Sequence, residues 1–242
     1  MKPAARLYVT DDLAAGAALE LSAAQAHYLR NVLRQETGDA VALFNGRDGE
    51  WLGRIAAPGR RSVTVEAVER TRPQAEEGDL WLVFAPIKRA RIDYLVEKAT
   101  ELGASALLPV ITRHTHVERL NLERLRAHAI EAAEQSERLT VPRLQEPRAL
   151  DDVLADWDAS RRIMLCDESG KAPPVGAALA HHTEKSWAVL IGPEGGFAET
   201  ELDALRKLPF VSPVSLGPRI LRADTAAVAG LAVLQALRGE AR

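Results

Sequence analysis

The chain has 242 residues, of which 47% are hydrophobic and 27% charged, with a formal charge of −3 and a single cysteine. This is the composition of a globular chain with a full core, and it excludes an internal disulfide, a multi-cysteine zinc site and nucleic-acid binding by overall charge alone. No apolar run approaches the ~20 residues of a membrane span, and the N-terminal stretch lacks the apolar segment of a secretion signal, so a cytoplasmic location is expected.

The first seventy residues alternate in short runs, RLYV, AVALFNG, EWLGRIAA and SVTVEAVER, with turn signals at Asn45-Gly46 and Pro58-Gly59. They predict a small β-rich unit. Within it, AQAHYLRNVLR has helical periodicity, with Leu29, Val32 and Leu33 on one face and Arg30 and Arg34 one turn apart on the other. Those two arginines are candidate phosphate contacts; for them, as for Arg54, Arg60 and Arg61, a solvated charge is the default and a phosphate contact the alternative. The polar, aperiodic stretch Thr71 to Asp79 reads as a linker, so the chain is cut into domains 1–72 and 73–242.

From Leu80 the pattern becomes buried strand followed by helix: LWLVFAP, RARIDYLVEKATELG ending on Gly103, ALLPVIT, then NLERLRAHAIEAAEQSER opened by Asn121. It continues through RIMLCD, WAVLIG, ETELDALRKL and PVSLG to DTAAVAGLAVLQALRG. Continuous apolar strands alternating with helices imply an α/β domain with a parallel sheet covered on both faces, and such sheets bind ligands at the carboxyl ends of their strands. The final helix carries Ala226, Ala227, Ala229, Gly230 and Ala232, which suits close packing against other backbone.

Two loops at such ends carry the chemistry, IGPEGGF at 191–197 and LGPRILRADTA at 216–226. Neither has the spacing of a dinucleotide fingerprint or a Walker loop. Rigid Pro193 and Pro218 beside flexible glycines make a fixed cradle, and Glu194 disfavours a phosphate, so a nucleoside is the better occupant. The loops follow consecutive strands and are therefore expected side by side. Arg219 and Arg222 supply planar cationic donors. His114 and His116 share one side of an extended segment, but no further ligand completes a metal site, and no metal is expected.

IGPEGGF with LGPRILR about twenty residues later closely resembles the knotted SPOUT class of S-adenosylmethionine-dependent RNA methyltransferases. Within that class it is similar to the RsmE family of 16S ribosomal RNA (uracil-1498-N3)-methyltransferases. HYLRNVLR, a downstream Gly38-Asp39 and FNG resemble that family's PUA-like RNA-binding domain, while IKRARIDYLVEKATELG and EAAEQSERLTVP resemble its first catalytic helices. The resemblance implies a C-terminal trefoil knot, a homodimer, and 16S ribosomal RNA or the 30S subunit as partner.

It further implies cofactor contacts from Leu165, Leu190, Ile191, Gly192, Gly195 and Gly196 on one side, and from Leu216, Gly217, Ile220, Leu221 and Thr225 on the other. Arg222, then Arg219, are the candidates to stabilise negative charge on the uracil, and Glu194 is a candidate base. Lys88 and Arg89 join Arg30 and Arg34 as RNA contacts, and Cys166 is expected to pack as a small apolar residue. Two departures stand out: Ala198 replaces a common helix-capping Ser or Thr, leaving Thr200 as the expected cap, and Ala223-Asp224 replaces Thr-Glu. The competing readings are a nicotinamide or flavin oxidoreductase and a non-catalytic RNA-binding adaptor.

Overall fold

A computed structural model describes residues 3–58, 62–75, 77–116 and 119–238. The chain divides into two compact units, one of Met1–Glu76 with Ala133–Val141 and the other of Glu77–Ala132 with Pro142–Arg242. Sequence periodicity cuts the chain once, after residue 72. The structure in addition returns Ala133–Val141 to the first unit, because Ala133 and Leu139 pack on Phe44, and Glu134 accepts the Tyr8 N–H at 2.8 Å.

The first unit holds β1 (Arg6–Tyr8), β2 (Ala18–Glu20), α1 (Ala23–His27), β3 (Ala40–Phe44), β4 (Glu50–Pro58) and β5 (Val63–Arg72). Its sheet runs β1-β3-β4-β5-β2 and is antiparallel except for β1 with β3. Leu7, Leu19, Leu43 and Val65, all fully buried, form its core with Leu29. Arg72, assigned to the linker by sequence, is the last residue of β5. Arg60 and Arg61 lie outside the described residues.

The helix expected through Arg34 does not extend that far. α1 stops at His27, a π-helical turn covers Tyr28–Val32, and Arg34 takes a left-handed backbone with φ of 54°. Arg30 and Arg34 therefore do not share a helical face: Arg30 donates to the Ser62 carbonyl at 2.7 Å, and Arg34 lies beyond the helix. The wider i to i+5 closure, seen as Leu33 N–H to Tyr28 O at 3.0 Å, breaks the 3.6-residue period on which the pairing rested.

The second unit is built on seven strands: β6 (Leu80–Phe84), β7 (Ala106–Ile111), β8 (Arg143–Leu144), β9 (Arg148–Ala149), β10 (Arg162–Cys166), β11 (Trp187–Ile191) and β12 (Val211–Val214). The order is β12-β10-β11-β6-β7-β8, with β9 also on β7, and every pairing is parallel. Its helices are α2 (Arg89–Glu101), α3 (Leu122–Gln135), α4 (Leu150–Ala155), α5 (Val175–Leu179), α6 (Glu199–Arg206) and α7 (Ala223–Arg238). Asn121 caps α3 by accepting the Arg124 N–H at 2.9 Å, and Gly103, with φ of 76°, ends the turn after α2.

Strand alternation sorts the two faces. Ile163, Leu165, Ala188 and Leu190 form one core with α4 residues Leu150 and Val153 and α6 residue Leu205. Met164, Cys166 and Val189 point the other way, toward Gly230 of α7. A β-carbon at Gly230 would lie 3.0 Å from Val189 Cγ1 and 3.3 Å from Cys166 Sγ. The small residues of the last helix thus let it lie close on the sheet.

Candidate functional site

β10, β11 and β12 run parallel and end at the same edge of the sheet, where their loops meet. β11 and β12 are consecutive in the chain, yet β10 separates them in the sheet. The two glycine loops are therefore not direct neighbours: the end of β10, Cys166 to Glu168, stands between them and completes the site. Three loops, not two, build it.

The loop after β11 is a tight turn in which Gly196 N–H donates to Pro193 O at 2.9 Å. Gly196 has φ of 70°, which calls for glycine, and a β-carbon there would lie 2.3 Å from Glu168 Oε1 and so displace that carboxylate. From the other side His114 Nδ1 lies 3.1 Å from the Gly196 carbonyl. A carbonyl only accepts, so Nδ1 carries the proton. Arg113 N–H donates to Glu201 Oε1, and Glu201 Oε2 accepts the Ala198 N–H at 2.9 Å, which satisfies the first turn of α6. Thr200, the expected cap, instead accepts from the Arg113 guanidinium at 2.7 Å.

The loop after β12 turns at Gly217, whose φ is 119° and whose N–H donates to Ser215 Oγ at 3.2 Å. It then enters α7 at Ala223. Between the loops opens a cleft of about 750 Å³, within the size range of small-molecule sites. Gly192, Glu194, Gly195 and Gly196 form one wall and Ile220, Leu221 and Arg222 another, with Ile191 at the strand end. A second cleft of about 410 Å³ adjoins it, bounded by Leu216, Gly217 and Arg219. Cys166, Glu168, Ile220, Leu221 and Ala226 border both.

The remaining predicted contacts are placed otherwise. Leu165 and Leu190 are fully buried within β10 and β11 and do not reach the cleft wall. Thr225 is exposed on the first turn of α7, outside both walls. Ile220 is 85% exposed, an apolar side chain at the lip shared by both clefts.

Charge in the larger cleft is nearly balanced. Lys88, which precedes α2, lies 3.9 Å from Glu194, and Arg91, one turn on, lies 3.2 Å from Asp224 at the start of α7. Arg91 and Glu168 are functional candidates that sequence reasoning misses; only Arg91 carries a local signal, its three-residue spacing to Lys88. Arg89 opens α2, and its side chain lies outside the described residues. Arg222 makes no ion pair among the described residues, and neither does Glu168.

Burial raises the Glu168 carboxyl above its ordinary pKa, and the neighbouring Asp167 charge adds to the effect. Asp167 behaves oppositely. Burial opposes its ionisation, but hydrogen bonds from Ser169 and the Arg206 guanidinium outweigh that and hold its pKa below the usual range. Arg206 reaches Asp167 Oδ2 at 2.6 Å from Nη2 and 3.0 Å from Nε, which pins the segment bearing Glu168. Burial pushes the Cys166 thiol up to about 12, so it stays protonated and packs as a small apolar group, as expected.

Residues 74–235 match an RNA methyltransferase domain, and residues 21–68 match an RNA methyltransferase PUA domain. The ribosomal RNA small subunit methyltransferase E of Rickettsia conorii is 33% identical over 96% of this chain and 95% of its own length. This chain belongs to the ribosomal RNA small subunit methyltransferase E family. The Synechocystis member is 34% identical over 96% of this chain and 77% of its own. Among solved structures, the Neisseria gonorrhoeae member bound to S-adenosyl methionine superposes with a TM-score of 0.87 at 26% identity, covering 96% of this chain and 97% of that one. The family match agrees with the parallel sheet and the β-rich first unit, and it removes the oxidoreductase alternative.

Proposed function

We propose that this protein is an S-adenosylmethionine-dependent methyltransferase acting on N3 of uridine 1498 in 16S ribosomal RNA. The observation that carries this reading is a single cleft walled by both glycine loops, into which opens Arg222, a guanidinium with no ion pair among the described residues. The match to family members named for ribosomal RNA methylation supports it.

The cleft suits the cofactor chemically. Ile87, Ile191 and Leu221 offer apolar walls for an adenine, and the glycine turn leaves backbone open to a ribose, while the three carboxylates of the cleft are matched by Lys88, Arg91 and Arg222. When bound, S-adenosylmethionine supplies an electrophilic methyl group. The backbone of Gly192, Gly195, Gly196 and Leu221 holds the nucleoside, with Leu216 and Gly217 in the adjoining cleft. Arg222 faces the uracil oxygens and stabilises the charge that develops as the N3 proton leaves. Arg219 serves the adjoining cleft, and Glu194, drawn toward Lys88, orients the loop rather than acting as base.

Lys88 at the cleft, with Arg89 next to it in the chain and Arg30 and Arg34 in the first unit, contacts RNA phosphates. The C-terminal strand, loop and helix form a trefoil knot, and two copies associate in the cytoplasm. Support for association comes from exposed Tyr94 on α2 and Leu237 on α7, two helices that pack together.

The test is incubation with labelled S-adenosylmethionine and small ribosomal subunits from cells lacking the gene, followed by mass spectrometry of nuclease fragments. One labelled N3-methyluridine in the fragment containing position 1498 is expected. No label on 16S RNA, or label on a different base, rejects the reading.

A further inference from the structure

The larger cleft contains three carboxylates, and two already have cations: Glu194 has Lys88 at 3.9 Å and Asp224 has Arg91 at 3.2 Å. Glu168 has none among the described residues, although it borders both clefts and stands between the two glycine loops. Its position is held rather than incidental. Asp167, with no side-chain exposure, is gripped by Arg206, and Gly196 leaves the space that Glu168 Oε1 occupies.

We propose that Glu168 is a cofactor-binding residue whose carboxylate pairs with the sulfonium charge of S-adenosylmethionine, so that the cleft prefers the charged cofactor to its neutral product. The assignment rests on the methyltransferase reading above. Methyl transfer turns the sulfonium into a thioether, which removes one positive charge at sulfur while the amino-acid ammonium and carboxylate remain. A carboxylate lacking its own cation gains more from the sulfonium form than from the thioether, and the difference favours product release. The partial desolvation that raises the Glu168 pKa agrees with a group awaiting a cationic partner.

Calorimetry with S-adenosylmethionine and with S-adenosylhomocysteine, on the full chain and on Glu168→Gln, separates the possibilities. In Glu168→Gln, affinity for S-adenosylmethionine is expected to fall about tenfold, the scale of one partly solvated charge pair, while affinity for S-adenosylhomocysteine changes less than about twofold. Glu168→Asp, which keeps the charge, should recover part of the preference. Equal weakening of both ligands overturns the proposal, because it moves the carboxylate to a group that both share. An unchanged pair of affinities with lost turnover also overturns it and makes Glu168 a base. If the unaltered protein binds neither ligand, the methyltransferase reading itself fails. Thermal melting distinguishes a folding defect: Glu168 is exposed and its raised pKa makes its charge a cost to the fold, so the Glu168→Gln melting temperature should be equal or higher.

Discussion

Gly196 and Gly195 are adjacent, yet they answer to different constraints. Gly196 needs a left-handed backbone and has Glu168 against its Cα, whereas a β-carbon on Gly195 meets only His114 Cβ at an ordinary 3.7 Å. Gly196→Ala is therefore expected to lower Tm through ~1–2 kcal/mol of backbone strain, and to weaken S-adenosylmethionine binding about tenfold by displacing Glu168. Gly195→Ala should bind within about threefold of the unaltered protein by calorimetry, an allowance of well under 1.4 kcal/mol. Equal losses in the two variants reject this distinction. For Arg222, which has no ion pair to lose among the described residues, Arg222→Ala should lower kcat by ~10²–10³ with little change in cofactor affinity. Lysine should restore only part of the rate, because an ammonium lacks the planar fork. Normal turnover of Arg222→Ala at saturating cofactor and RNA would transfer the role to Arg219.

At the scale of elements, α7 and α6 hold the site from opposite faces of the sheet. Gly230 lets α7 approach Val189, Cys166 and Met164, so Gly230→Val overpacks that contact and should cost ~1–3 kcal/mol, read as a lower Tm. An unchanged Tm means that α7 is not seated as described. On the other face, α6 reaches β10 through Arg206 and Asp167. The folded-state pKa of Asp167 lies below its unfolded value, so the stability it contributes is fully present above the unfolded pKa of about 3.9 and is lost as pH falls through the folded value. Glu168 has the opposite sign: its raised folded pKa makes its ionised form a cost once pH exceeds the unfolded value. Asp167→Asn should thus flatten the decline in stability below about pH 4, as measured by denaturant melts across pH 2–6. An unaltered acid limb would exclude Asp167 as its source.

For the whole molecule, the proposed association predicts a sedimenting species of about twice 26.3 kDa at micromolar concentration, with a self-complementary patch that includes Tyr94 and Leu237. A single species of monomer mass rejects the association. Legibility in the sequence follows length and periodicity. β6, β7, β10 and β11 are long buried runs, and α2, α3 and α7 are long helices with caps or stops, so each is legible from its own residues. β8 and β9, of two residues each, and α4 and α5, of six and five, carry too few residues for a period. Arg30 and Arg34 mislead for a related reason, since a single π-helical turn changes which residues share a face and leaves no compositional mark.

The sequence by itself determined the α/β alternation, the small β-rich unit ahead of it, and the two glycine loops at strand ends, because local propensity and hydrophobic period act over neighbouring residues. It also carried the family resemblance in IGPEGGF and LGPRILR. Only the tertiary structure decided the strand order, and with it the insertion of β10 between β11 and β12. That order brings Glu168 to the junction of the clefts, while helix packing pairs Arg91 with Asp224 across 133 residues and contacts with Phe44 and Tyr8 hand Ala133–Val141 to the first unit. Such pairings are set by which buried faces and charges meet after folding, and no local period encodes a neighbour so far along the chain.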